Sequence, residues 1–214
     1  MIEVYSHAQL SERPDRAHQL FSQRYEIFVR RLGWDLPTRG FYEFDQFDHD
    51  GTSYILTLGE NDALSGSCRM LPTTSAYMLS DIFVPLLGGQ PAPRSSGVLE
   101  LSRFCIDTEG RPARSPGENC QVTTELFAAM VDYALRRQAT EVLAVVTLPI
   151  LRIIRRLIGG EPDWRGPISE LNGTRSVAVR FAVSDRLLNR LCAELGSPLA
   201  YATAPEAASV MRAA

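Results

Sequence analysis

Five consecutive apolar residues, Val142 through Val146, make a run too short for a helix and rich in β-branched side chains. It reads as a buried strand, around which the chain must build a sheet. Upstream, segments 53–58 and 64–71 flank Gly59-Glu-Asn-Asp62 and predict a β-hairpin. Residues 98–106 predict a third strand, and the Gly/Pro-rich stretch 84–97 before it a loop. Ser115-Pro-Gly-Glu118 is a capping box with proline at the first helical position, opening a helix to about residue 137. After the buried strand, Thr147 caps a short helix over 148–157. A strand at 175–183 then precedes a last helix over 184–195. Near the start, Ala17, Leu20, Phe21, Phe28 and Leu32 recur at helical spacing over 14–32, and Pro37 and Gly40 end that region. The order predicts a single α/β (α+β) domain over 1–196, a mixed central sheet flanked by helices, followed by a poorly ordered Ala-rich tail, 197–214. No G-x-G-x-x-G follows a strand, which excludes a Rossmann fold.

All 22 basic residues are arginine. Without lysine there is no Schiff base, no P-loop lysine and no lysine acid–base chemistry. Any anion is met by guanidinium groups, suited to bidentate contacts. A net charge of −3 argues against nucleic-acid binding. No segment approaches the ~20 apolar residues of a membrane span. The N-terminus, with neither a basic nor an apolar region, argues for a cytoplasmic chain. Cys68, Cys105, Cys120 and Cys192 lack CxxC spacing and read as buried reduced thiols.

Four constellations stand out. Glu43-x-Asp45-x-x-Asp48-His49-Asp50-Gly51 fits no calcium loop, because aligning Gly51 places Gln46 and Thr57 at ligand positions. His7, His18 and His49 lack zinc spacing, so no metal site is expected. Phe44 and Phe47 pull this acidic loop onto the body of the protein. Arg24 and Phe28 lie one helical turn apart and share a face with Arg31, with Trp34 just beyond; core aromatics and a surface charge would explain them equally well. Leu99-Glu-Leu-Ser-Arg-Phe104 places two charges in an apolar strand. Strict alternation puts Glu100, Ser102 and Phe104 on one face and Arg103 on the other, so both charges can serve one site only if the strand bulges or splays. Arg152, Arg155 and Arg156 form a basic stripe, either a solvated helix face or a dock for an acidic partner.

Together these segments resemble the acyl-homoserine-lactone (autoinducer) synthases of LuxI type. The matching residues are Arg24-x-x-x-Phe28, Arg31-Leu-Gly-Trp34-Asp, Glu43-x-Asp45-Gln-Phe-Asp48, Cys68-Arg-Met-Leu-Pro-Thr-Thr74, Leu79-x-Asp-x-Phe83 and Glu100-Leu-Ser-Arg103, in the family's order over roughly residues 1–185. Each motif alone is weak; the ordered set is specific. The resemblance implies a GNAT-like acyltransferase fold with splayed strands forming the acyl cleft. It implies acyl transfer from an acyl carrier protein, or acyl-CoA, to the amine of S-adenosylmethionine, then lactone closure with loss of methylthioadenosine. S-adenosylmethionine is a substrate, and no cofactor is implied. On this resemblance Glu43, Glu100, Arg69, Asp45 and Asp48 form the catalytic set, and Arg24, Phe28, Trp34, Arg103 and Ser102 the S-adenosylmethionine site. Phe83, Phe104, Met130, Val145 and Leu151 would line the acyl chain, and Arg152, Arg155 and Arg156 would dock the carrier protein. Leu157-Ile-Gly-Gly160 is one residue longer than the family's usual helix end. Ala144 stands where some makers of 3-oxo products have threonine, favouring an unsubstituted chain.

The residues suit that chemistry. Arginine fits a carboxylate, aspartate fits cationic groups, Trp34 and Phe28 can stack on adenine or face a sulfonium, and Glu43 or Glu100 can take a proton from the amine. A generic acetyl-CoA-dependent N-acetyltransferase would share the fold, but no R/Q-x-x-G-x-G/A pyrophosphate loop is present. A non-catalytic module sensing a nucleotide or acyl ligand is the third possibility.

Overall fold

The structure, a computed structural model, describes residues 1–108, 116–171 and 173–202. β1 (Ile2–Ser6) leads into α1 (His7–Ser11), whose start is fixed by a reciprocal capping box between Ser6 and Gln9. α2 (Pro14–Arg24) begins with proline and passes into a π-helical stretch, Tyr25–Arg31, where the Leu32 N–H reaches back five residues to the Ile27 carbonyl. The single helix expected over 14–32 therefore changes its winding at Arg24, as π turns do near functional sites. A small hairpin follows, β2 (Thr38–Arg39) and β3 (Tyr42–Glu43), then β4 (Ser53–Leu58) and β5 (Leu64–Pro72), which form the predicted hairpin. α3 (Met78–Asp81), a single turn, precedes β6 (Val98–Ile106). The rest runs α4 (Pro116–Arg136), β7 (Glu141–Thr147), α5 (Leu148–Ile158), β8 (Trp164–Arg165), β9 (Ser169–Leu171), β10 (Thr174–Ala182) and α6 (Asp185–Leu195). Ser115, which opens the capping box expected for α4, lies outside the described residues.

An eight-stranded sheet runs β1-β4-β5-β6-β7-β10-β8, with β9 also on β10. Its pairings are antiparallel except between β6 and β7, which α4 connects as a βαβ crossover. That parallel ladder stops at Leu101–Ala144, although both strands continue. Beyond it the two strands part, leaving backbone groups of both without a ladder partner.

One face of the sheet packs on α4, α5 and α6 through Met70, Leu99, Leu101, Ala144, Val177 and Phe181 against Phe127, Met130 and Leu151. The other carries Leu71, Val98, Leu143 and Ala178 under Phe47, Tyr77, Met78 and Leu86. The run at 142–146 is thus covered on both sides, Val142 and Ala144 on one and Leu143 on the other, which is why it lacks polar alternation.

One expectation, that all four cysteines are buried, is corrected. Cys68 on β5 and Cys105 on β6 are buried, but Cys120 near the start of α4 is exposed and Cys192 on α6 half-buried; all four are free. The first residues of the tail are docked, Tyr201 bridging to Ile2 and stacked under Arg136. The tail beyond Ala202 lies outside the described residues. Among the described residues no helix is long and apolar enough to cross a membrane.

Candidate active site

Three arginines and three carboxylates close into one alternating ring. Glu43 accepts from Arg24 Nε at 2.6 Å, and Arg24 Nη1 donates to Asp48 at 2.8 Å. Asp48 pairs with Arg69 at 3.1 Å, and Arg69 donates to Asp45 at 2.6 Å. Asp45 accepts from Arg103 at 2.7 Å, and Arg103 returns to Glu43 at 2.8 Å. Each side chain is at most 6% exposed. Removing so many charges from water is costly, and only partners at every position make it tolerable. The ring is formally neutral, which satisfies that condition. Burial pushes the Asp48 carboxyl upward, but Arg24 and Arg69 outweigh it and hold the group well below the usual carboxylate range. Asp45 is likewise held low, its burial overcome by Arg69 and Arg103.

The ring depends on a break in β6. Arg69 faces Ser102 and Ser67 faces Cys105, so Arg103 and Phe104 together oppose Cys68. This is a β-bulge, and Arg103 sits in the left-handed region at φ +51°. A non-glycine residue there costs about 1–3 kcal/mol. The slip by one residue is visible on both sides: Leu99 and Leu101 face the helices before the bulge, Phe104 and Ile106 after it. Arg103 thereby joins Glu100 and Ser102 on one face, meeting the condition set by the sequence. Phe104 moves to the opposite face, contrary to strict alternation.

Glu100 stands outside the ring. It is 1% exposed, and its two oxygens accept from the backbone N–H groups of Met78 and Leu79, each at 2.8 Å, at the start of α3. Burial raises its pKa to about 7 against the opposing pull of those two N–H groups and Arg69. Ring and glutamate meet at Met78, whose sulfur contacts Arg69 Nη2 at 3.1 Å and Arg103 Nη1 at 3.7 Å. Ser102 accepts from Arg69 Nε at 3.0 Å. Phe28 stacks on Trp34 with ring centres 5.1 Å apart and lies beneath the Arg103 guanidinium.

The structure brings Arg24, Glu43, Asp45, Asp48, Arg69, Glu100, Ser102, Arg103, Phe28 and Trp34 together. It differs from the expected division of labour in one respect: the arginines and aspartates satisfy one another. Glu43, one of the two expected bases, accepts four hydrogen bonds from Arg24 and Arg103, so protonating it means breaking ion pairs. The acyl-lining set is split by the sheet. Phe104, Met130 and Leu151 lie on the helix face and Phe83 and Val145 on the ring face, so the parted ends of β6 and β7 are what lies between them. In the arginine stripe, Arg155 pairs with Glu161 and Arg156 with Glu194, while Arg152 is exposed. Tyr54 and Met78 escaped the sequence reading. Both sit among apolar residues and read as core. No cluster of histidine, cysteine and carboxylates able to hold a metal ion occurs among the described residues.

A mixed sheet flanked by helices, whose two parallel central strands separate halfway, is a GNAT-like acyltransferase fold. The chain belongs to the autoinducer synthase family, which it matches over residues 7–191. It is 37% identical over 197 residues to an acyl-homoserine-lactone synthase of Ralstonia nicotianae, covering 91% of this chain and 93% of that one. TofI, solved in a ternary complex with an inhibitor and MTA, is 31% identical, with a TM-score of 0.71 and coverage of 89% and 96%. BjaI, a CoA-dependent acyl-homoserine lactone synthase solved with SAM and isopentyl-CoA, shares the fold at a TM-score of 0.81 and 23% identity, covering 94% and 92%.

Proposed function

We propose that this chain synthesises acyl-homoserine lactones, moving an acyl group from a carrier protein or coenzyme A to the amine of S-adenosylmethionine and closing the lactone. The observation that carries this reading is Glu100, a buried carboxylate with a pKa near 7, placed beside a neutral ring where two strands part.

An α-amine titrates at about 7.7–8 and must lose its proton before attacking a thioester. Glu100, directly or through one water, is matched to take it. The oxyanion that forms at the acyl carbonyl meets backbone N–H groups of β6 or β7 freed beyond Leu101 and Ala144. The thiol of the donor then leaves with a proton. In the second step the substrate's own carboxylate displaces methylthioadenosine from the carbon beside the sulfonium, which asks of the protein mainly positioning. Arg103 Nη1, held here by the soft Met78 sulfur, is the donor best placed to hold that carboxylate. Asp45, Asp48, Arg69, Arg24 and Glu43 fix its position. Phe28 and Trp34 offer an aromatic surface to the adenine or the sulfonium. The acyl chain passes between β6 and β7 toward Met130 and Leu151, with Ala144 leaving no hydroxyl for a 3-oxo group. α5 presents Arg152 to an acidic carrier protein. S-adenosylmethionine serves as substrate and no cofactor enters the scheme; the reaction is assigned to the cytoplasm, where both substrates are made.

The test is to incubate the protein with S-adenosylmethionine and a carrier protein charged with medium acyl chains, and to follow methylthioadenosine. Release that requires the acyl donor is the expected result. Release without a donor, or none with any donor, would overturn the reading.

A further inference from the structure

Asp48 does more than bridge two arginines. Its Oδ1 atom also accepts from the Tyr54 hydroxyl at 3.0 Å, beside Arg24 Nη1 at 2.8 Å and Arg69 Nη1 at 3.1 Å. Tyr54 is fully buried on β4, its ring set edge-on against Phe21. The Tyr54 oxygen lies 3.1 Å from His7 Nδ1, at the first residue of α1. His7 is half-buried, and its own backbone N–H is tied to the Thr52 carbonyl.

Proton accounting fixes the direction of this chain. A carboxylate held by two guanidinium groups is ionised and can only accept. Tyr54 must therefore spend its single proton on Asp48, so its oxygen is an acceptor toward His7. His7 must then carry a proton on Nδ1, whether neutral or charged. The donors run one way, from α1 through β4 into the ring.

We propose that His7 and Tyr54 are positioning residues for the synthase reaction: their hydrogen-bond chain sets the orientation of Asp48, and through it the placement of Arg69 beside Ser102 and Met78. Oδ2 of Asp48 is anchored separately, accepting from Arg24 Nη2 and from the Asp45 backbone N–H, each at 2.9 Å. Without the Tyr54 hydroxyl it is Oδ1 that loses a donor and can swing about that anchor, away from Arg69. Arg69 keeps Asp45 and Ser102, but its contact with Asp48 Oδ1 is no longer fixed, so this side of the ring loosens while Glu100 keeps its own partners, Met78 and Leu79. The inference rests on the proposed function, since it concerns the binding of that reaction's substrate.

The experiment compares full-length variants by steady-state kinetics with S-adenosylmethionine varied at saturating acyl donor, alongside thermal unfolding. Tyr54→Phe keeps the buried ring and removes the hydroxyl. One lost hydrogen bond predicts a rise in KM for S-adenosylmethionine of about two- to tenfold, with kcat changed by less than about twofold. Asparagine places its amide nitrogen where Nδ1 lies, and glutamine places it nearer Nε2. His7→Asn should therefore hold KM near the wild-type value, whereas His7→Gln and His7→Ala raise it. A Tyr54→Phe protein with unchanged KM, whatever its melting temperature, overturns the proposal. So does a His7→Asn protein that behaves like His7→Ala. A wild-type protein that releases no methylthioadenosine would instead overturn the proposed function, so the two failures are told apart.

Discussion

The ring carboxylates and Glu100 share one water-poor site yet are held in different ways: the ring's arginines touch the Met78 sulfur, whereas Glu100 takes the Met78 backbone N–H. Asp45, Asp48 and Glu43 each meet two guanidinium groups, and these hold the Asp45 and Asp48 carboxyls below the usual range. Glu100 meets two backbone N–H groups and a distant arginine, too little to offset burial, and its proton affinity rises to the neutral range. The difference shows that burial alone does not make a reactive carboxylate. Burial with full pairing holds a carboxylate as a fixed part; burial with partial pairing leaves one that can exchange a proton near neutral pH.

The largest expected effect tests the second half of that statement. Glu100→Gln should lower methylthioadenosine release by about 10²–10⁴-fold, the usual yield of a positioned base. At pH 8 its urea midpoint should stay close to that of the wild type, because removing the buried charge offsets the one α3 N–H that the amide can no longer accept from. If this variant keeps near wild-type methylthioadenosine release, Glu100 is a cap for α3 and not a base.

Next in size is the ring. Asp48→Asn leaves Arg24 and Arg69 sharing one fewer anion, and breaking a buried pair in this way costs about 3–5 kcal/mol. Equilibrium denaturation should show that loss, with little dependence on salt. A loss below about 1 kcal/mol would mean that the ring is hydrated and behaves like a surface pair.

The third effect is a pair of opposite slopes, each bounded by about 1.4 kcal/mol per pH unit per group. Glu100 has a folded pKa of about 7, above its ordinary 4.5, so its contribution is present below pH 4.5 and lost as pH rises through 7. Asp45 and Asp48 are shifted down from 3.8, so theirs is present above that value and lost as pH falls through their folded values. Urea midpoints between pH 3 and 8 should fall on both sides, and Glu100→Gln should flatten the neutral side alone. Over the same range, kcat/KM should rise through pH 7 in the wild type.

Much of this was legible in the sequence, for reasons that differ between elements. The hairpin, the strand at 142–146, α5 and α6 carry strong periodicity or caps, and they form where expected. β1 and α3 were not read, because five and four residues are too few to show a period. The charged set could be named, since arginine and glutamate inside an apolar strand are conspicuous. The need for a bulge at Arg103 could be stated as a condition, because side-chain alternation is a strict geometric rule. That the charges would pair with one another, Arg24 with Glu43 and Arg103 with Glu43, depends on contacts across 19 and 60 residues of chain and has no local signature. The same holds for Tyr54, whose hydroxyl is the one polar atom of a side chain that otherwise belongs to the core.

The closed ring also bears on how the molecule assembles. Its members come from the end of α2, from β3 and the loop after it, the middle of β5 and the bulge of β6, segments that meet only after the long connection between β5 and β6 has been closed. Any partial assembly in which one of the three arginines or carboxylates is absent holds a bare charge in a drying interior. Such a species is disfavoured, so the ring closes late and all at once. Its contribution should then lie downstream of the rate-limiting barrier: ring substitutions should speed unfolding and leave the refolding rate nearly untouched. The lifetime of the native state, rather than the speed of reaching it, is what these six side chains govern.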